Sequence, residues 1–179
     1  MHADPTDETR SMVRTAQSRQ RLEVILHEHH LLQQCVSPYG DNSLYAAIAD
    51  QLHSSLTAEW LQPSGVFRLL REKLGQSDYG RLRRSLRDGS LMEHSALLSA
   101  MADVLQSDLA IYSGAFAGPD ERGVRVFRAS RPSNPGALLR LAFWLPHHFD
   151  SLRTEEEENL LRRRQQLAGE FERNLAQAR

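Results

Sequence analysis

The clearest hydrophobic rhythm in the chain lies in residues 37–52, SPYGDNSLYAAIADQL. There Leu44, Ala47, Ile48 and Leu52 recur at the three- and four-residue spacing of a helix with one buried face. Asp41 or Asn42 supplies the cap, and Pro38 and Gly40 make the approach a tight turn. Ser43 then falls in the first turn, where unbonded backbone N–H groups and the helix dipole favour developing negative charge. By itself this pattern is a capped helix after a loop.

Elsewhere the pattern predicts further helices in order. Residues 1–10 are polar and frayed, and residues 11–29 form a helix with Val13, Leu22, Val24, Ile25 and Leu26 on a partial stripe. A short strand over 31–36 places Cys35 in it as a small buried apolar side chain, a poor substitute nucleophile because it lies on a strand rather than at a helix start. Residues 53–56 read as a turn and 57–61 as a short helical turn stopped by Pro63; Ser64 caps a helix to Leu74 with Val66, Phe67 and Leu70 inside. Gly75 ends that helix, and 77–86 forms another, with Arg81, Arg83, Arg84 and Arg87 as a basic cluster. Residues 90–105 read as one helix feeding a buried strand at 109–112.

Val-Arg-Val-Phe at 124–127 alternates as a strand. The run LLRLAFW at 138–144 is apolar enough for the centre of a sheet, and after Pro146 the stretch His147-His148-Phe149-Asp150 lies on the next extended piece. Thr154 and Glu157 form a capping box for a last helix, whose Leu160, Leu161, Leu167, Phe171 and Leu175 leave a thin apolar stripe. That helix can pack back on the domain or dock on a partner. The expected organisation is a polar N-terminal extension or helix at 1–20, a domain at 21–153 and an amphipathic C-terminal helix at 154–179.

Composition changes this picture little. With 40% hydrophobic and 25% charged residues over 179 positions, the chain is an ordinary globular one, and its net charge of -1 calls for neither nucleic acid nor an anionic membrane. A single cysteine excludes an internal disulfide framework, and no apolar run reaches membrane-spanning length. The expected compartment is the cytoplasm, with the nucleus also allowed. His27, His29 and His30 lack the spacing of a zincin motif and read as a solvated helix end; no metal and no cofactor are expected.

The stretch NSLYAAIADQL resembles the nucleophile helix of the ovarian tumour (OTU) family of cysteine deubiquitinases, whose motif reads D-G-N-C-L-[FY]-R-A-[IL]. Asn42, Leu44, Tyr45, Ala47 and Ile48 match it as they stand. The family also carries a late His-aromatic-Asn/Asp pair, and His148-Phe149-Asp150-Ser151 has that form. The segment VLQSDLAIY resembles the family's helix-then-strand passage as well. The resemblance implies an α/β (α+β) fold of the OTU-like, papain type: a small mixed sheet flanked by helices, here with an extra C-terminal helix. It also implies a catalytic set at Ser43 (the nucleophile position), His148 and Asp150, an oxyanion loop at Gly40, Asp41 and Asn42, and ubiquitin or a ubiquitin-like protein as partner. In a strand, His148 and Asp150 share a face, so the carboxylate can orient the imidazole.

The chain departs from the family at Ser43, which stands where the family has cysteine, at the inverted Gly40-Asp41, at Ala46 in place of Arg, and in lacking the mid-chain Trp-Gly element. A serine hydroxyl does not ionise near neutral pH and needs full general-base help. Two readings of Ser43 stay open, a naturally inert relative and an active deubiquitinase with its cysteine replaced; the flanking departures favour the first. A third reading is a structural subunit that contacts a larger complex through Arg81, Arg84 and the C-terminal helix.

Overall fold

In the sheet of this protein the run at 138–144 is the middle strand, as its apolar composition requires. A computed structural model describes residues 5–35, 42–54, 62–116, 122–133 and 138–177. The elements are α1 (Pro5–Glu28), β1 (Leu31–Gln34), α2 (Ser43–Ser54), α3 (Pro63–Lys73), α4 (Gly75–Asp88), a 3-10 turn (Leu91–Glu93), α5 (Ser95–Leu105), β2 (Asp108–Tyr112), β3 (Val124–Phe127), β4 (Leu138–Trp144), β5 (His148–Thr154) and α6 (Glu155–Gln177). The five strands lie in the order β1-β5-β4-β2-β3; β2 and β4 run parallel and the other pairs antiparallel. The chain is therefore a mixed α/β protein with a mixed sheet flanked by helices.

Strand alternation divides the core into two. Leu109 and Ile111 of β2, Leu139, Leu141 and Phe143 of β4 and Phe149 of β5 pack with α2, α3, α4 and α5 in the larger cluster. Ala110, Tyr112, Ala142 and Leu152 point the other way and meet Leu22 and Leu26 of α1. Leu22 is almost fully buried, a contribution on the order of 2 kcal/mol. The close approach of α1 depends on Gly114, where a Cβ would stand 1.9 Å from the Ser18 carbonyl oxygen.

Several boundaries differ from the local pattern. The first helix begins at Pro5 rather than Ser11, so much of the stretch expected to fray is helical; proline suits a first turn, and Asp7 and Glu8 complement the dipole there. It runs through residue 20, where a boundary was expected. Helix α2 continues to Ser54, into the stretch expected to turn. Pro63 opens α3 instead of ending the segment before it, with Gln62 as its cap. The helix expected over 90–105 breaks at His94, whose φ of -106° and ψ of 65° are not helical. The helical turn expected at 57–61 lies outside the described residues. Both bonds of the capping box form: Glu157 Oε2 accepts the Thr154 N–H at 2.8 Å, and Thr154 Oγ1 accepts the Glu157 N–H at 3.2 Å.

Candidate functional site

Helix α2 starts where its pattern places it, with the Asn42 carbonyl accepting the Ala46 N–H and Ser43 as the first helical residue. Ser43 is fully buried, and its Oγ accepts the backbone N–H of Phe149 at 2.9 Å. The hydroxyl thus touches the peptide between the expected base and its orienting carboxylate. Among the described residues no hydrogen bond joins it to the imidazole. Gly40 and Asp41 of the expected oxyanion loop lie outside the described residues; Asn42 is exposed.

His148 and Asp150 are together: Nε2 and Oδ1 are 3.0 Å apart, with the His148 side chain 19% exposed and that of Asp150 2% exposed. A carboxylate is an acceptor, so in the neutral imidazole Nε2 carries the proton and Nδ1 the lone pair. The β4–β5 turn, with a cis Leu145–Pro146 peptide, delivers His148 to the start of β5 opposite Trp144. His147 stays in that turn.

Two residues join this pair that the sequence did not assign to it. Gln33 of β1 donates from Nε2 to Asp150 Oδ2 at 2.5 Å, and the same nitrogen lies 3.7 Å from Cys35 Sγ as a donor. Cys35 is exposed and free, not buried as the sequence suggested, because it follows the last residue of an edge strand. Arg19, Gln33, Cys35, Trp144, His148 and Asp150 line one cavity of about 260 Å³, and the Arg19 guanidinium carbon is 5.7 Å from the centroid of the Trp144 ring. The signal for Gln33 and Cys35 is the β1–β5 register, which a short window of sequence does not contain. A larger cavity, of about 810 Å³, lies along α1 near Arg122 and holds none of the expected site residues.

Behind β5, Arg153 joins Asp50 of α2 at 2.6 Å and Glu158 of α6 at 3.2 Å, and Ser151 Oγ donates to Asp50 Oδ2. Burial, the strongest influence on Glu158, pushes its carboxyl up, but hydrogen bonds and charge from Arg162 and Arg153 outweigh it and hold the group below its ordinary value. This network fixes β5 to the helices on either side of it. Among the described residues no cluster of His, Cys, Asp and Glu has the form of a metal site, and no helix is long and apolar enough to cross a membrane.

No family model matches the chain, and no curated protein matches it. Among solved structures, the chain is similar to the OTU domain of OTUD1, with a TM-score of 0.48 and 14% identity over 80% of this chain and 99% of that one.

Proposed function

We propose that this chain is an OTU-like domain that binds ubiquitin or a ubiquitin-like protein and does not cleave it through Ser43. The observation that carries this reading is the place of the hydroxyl. A serine nucleophile must meet the carbonyl carbon of its substrate and pass its proton to a base within hydrogen-bond reach. Ser43 is fully buried, and its oxygen is engaged by the Phe149 N–H. Such a hydroxyl ties the first turn of α2 to β5, which is a structural task. The motif residues Asn42, Leu44, Tyr45, Ala47 and Ile48 and the His148–Asp150 pair support the family part of the reading.

The resemblance supplies ubiquitin as the partner class. A second reading, a subunit of a larger complex, draws on α6, where Leu160, Leu167, Phe171 and Leu175 are all exposed, and on the exposed Arg81 and Arg84.

The test is titration of the full chain with ubiquitin followed by NMR, together with isopeptide cleavage by the native chain and by Ser43→Cys. Saturable ubiquitin shifts with no cleavage by Ser43→Cys are expected. Efficient turnover after that one change would make the chain a deubiquitinase with its cysteine replaced, and absence of any ubiquitin shift would remove the binding claim.

A further inference from the structure

Helix α6 leaves the domain soon after it starts. Its first turn is tied down by the capping box and by Glu157 and Glu158, which reach Arg140 and Arg153 of the sheet. From Asn159 to Ala176 every residue is exposed except Leu161 and Gly169, which are half-buried. That stretch nevertheless carries large apolar side chains along one side: Leu160 is 44% exposed, Leu167 65%, Phe171 68% and Leu175 49%. Leu160, Arg164, Leu167, Phe171 and Asn174 follow one another at spacings of four, three, four and three, the rhythm of a two-helix seam. A helix in a protein draws most of its stability from packing such a face, and most of this one is uncovered.

The charges beside the seam say what covers it. Arg163 and Glu170 stand seven residues apart along one flank, and both are exposed. Two copies of α6 can lie antiparallel about a two-fold axis, with Leu160 against the partner's Phe171 and Arg164 against the partner's Leu167. Arg163 then falls beside the partner's Glu170, and Glu170 beside the partner's Arg163. Slipping the pair by one heptad faces Glu170 with the partner's Glu170, and the opposite slip faces Arg163 with the partner's Arg163. A parallel pair sets Arg164 against the partner's Arg164 across the seam. Of these four arrangements only the first matches both the apolar layers and the charges.

We propose that the chain forms a homodimer through α6, the two helices running antiparallel in this register. The apolar face extends from Leu160 to Leu175, about 22 Å of helix at 1.5 Å per residue. A seam of that length is short, so the dimer is a reversible one whose population depends on concentration. Arg164 lays its stem over the partner's Leu167 and keeps its guanidinium in water, which weakens the pair but penalises the parallel alternative. Each helix leaves its own domain at its N-terminal end, so the antiparallel seam carries the two domains at opposite ends. A target that repeats the feature the domain recognises is then held at two points. The proposal does not rest on ubiquitin as that target.

The experiment is sedimentation equilibrium of the full chain from about 1 to about 200 μM, where the mass is expected to rise from one chain towards two. Leu167→Glu combined with Phe171→Glu should abolish the rise. Arg163→Glu alone and Glu170→Arg alone should each raise the dissociation constant about tenfold, because two exposed attractions become two repulsions. The chain carrying both charge reversals should return to within about twofold of the native value. These two positions are exposed, so their reversal leaves the fold of the domain intact. A mass of one chain throughout overturns the proposal, as does a dimer that survives the two glutamates or a double reversal without rescue. Orientation is read by disulfide formation in a Cys35→Ser background. A mixture of Leu160→Cys and Phe171→Cys chains should cross-link faster than either chain alone, and preferential linking of like chains overturns the antiparallel register. No readout uses ubiquitin, so a failed ubiquitin titration and a failed dimer measurement remain separate results.

Discussion

Asp108, the first residue of β2, shows how one carboxylate fixes a local geometry. It accepts the Ala129 N–H at 2.9 Å and the Arg128 guanidinium at 2.5 Å, and these contacts, the backbone bond first and Arg128 after it, hold its carboxyl below the ordinary 3.8. A depressed folded-state value stabilises the protein above the unfolded pKa, and the contribution is lost as pH falls through the folded one. The native chain is therefore expected to exceed Asp108→Asn in stability at pH 6 by no more than about 1 kcal/mol, since the Arg128 side is solvent-screened. Urea unfolding should show the gap closing below about pH 4; a gap constant from pH 6 to 3 would mean that the ionised form is not what matters. At this scale the meeting of His148 with Asp150 was legible in the sequence, because a spacing of two puts both on one face of a strand. The exposure of Cys35 was not, since it depends on where β1 ends and on what packs beside it.

The capping box of α6 is a device contained within one short segment. Thr154 and Glu157 are three residues apart, their two bonds need no distant partner, and the string T-E-E-E foretells both. Thr154→Ala should cost about 1 kcal/mol in urea unfolding; an unchanged midpoint would show that the ion pairs of α6, Glu158 with Arg153 and Glu157 with Arg140 at 2.7 Å, hold its start without the cap. Strands β3 and β4 were legible for a similar reason, their alternation and continuous apolar run being local properties. The break at His94 was not, because Leu91 and Leu97 both reach the larger core and a helical rhythm persists across the interruption. Pro63 was misread because proline suits the first turn of a following helix as well as it ends a preceding segment.

Gln51 links three parts of the molecule. Its Nε2 donates to the Leu152 carbonyl at 2.7 Å, and its Oε1 accepts the Arg140 N–H at 2.9 Å, so one buried amide joins α2 to both β5 and β4. Gln51→Leu keeps similar bulk but leaves a backbone donor and acceptor unpaired, for a cost of about 2–4 kcal/mol in urea unfolding. A cost below about 1 kcal/mol would mean that the two strands hold their register without this bridge. The sequence alone determined the type and order of most helices and strands, the helical start at Ser43, the shared face of His148 and Asp150 and the cap of α6, all of them products of spacings within a few residues. Only the tertiary structure decided that β1 lies against β5. That pairing brings Gln33 to Asp150 across 117 positions, while α2 packing brings Ser43 to Phe149 across 106. Such contacts arise when strands and helices compete for partners over the whole chain, so it is the packing that puts the serine in the core and the Gln33 amide against Asp150.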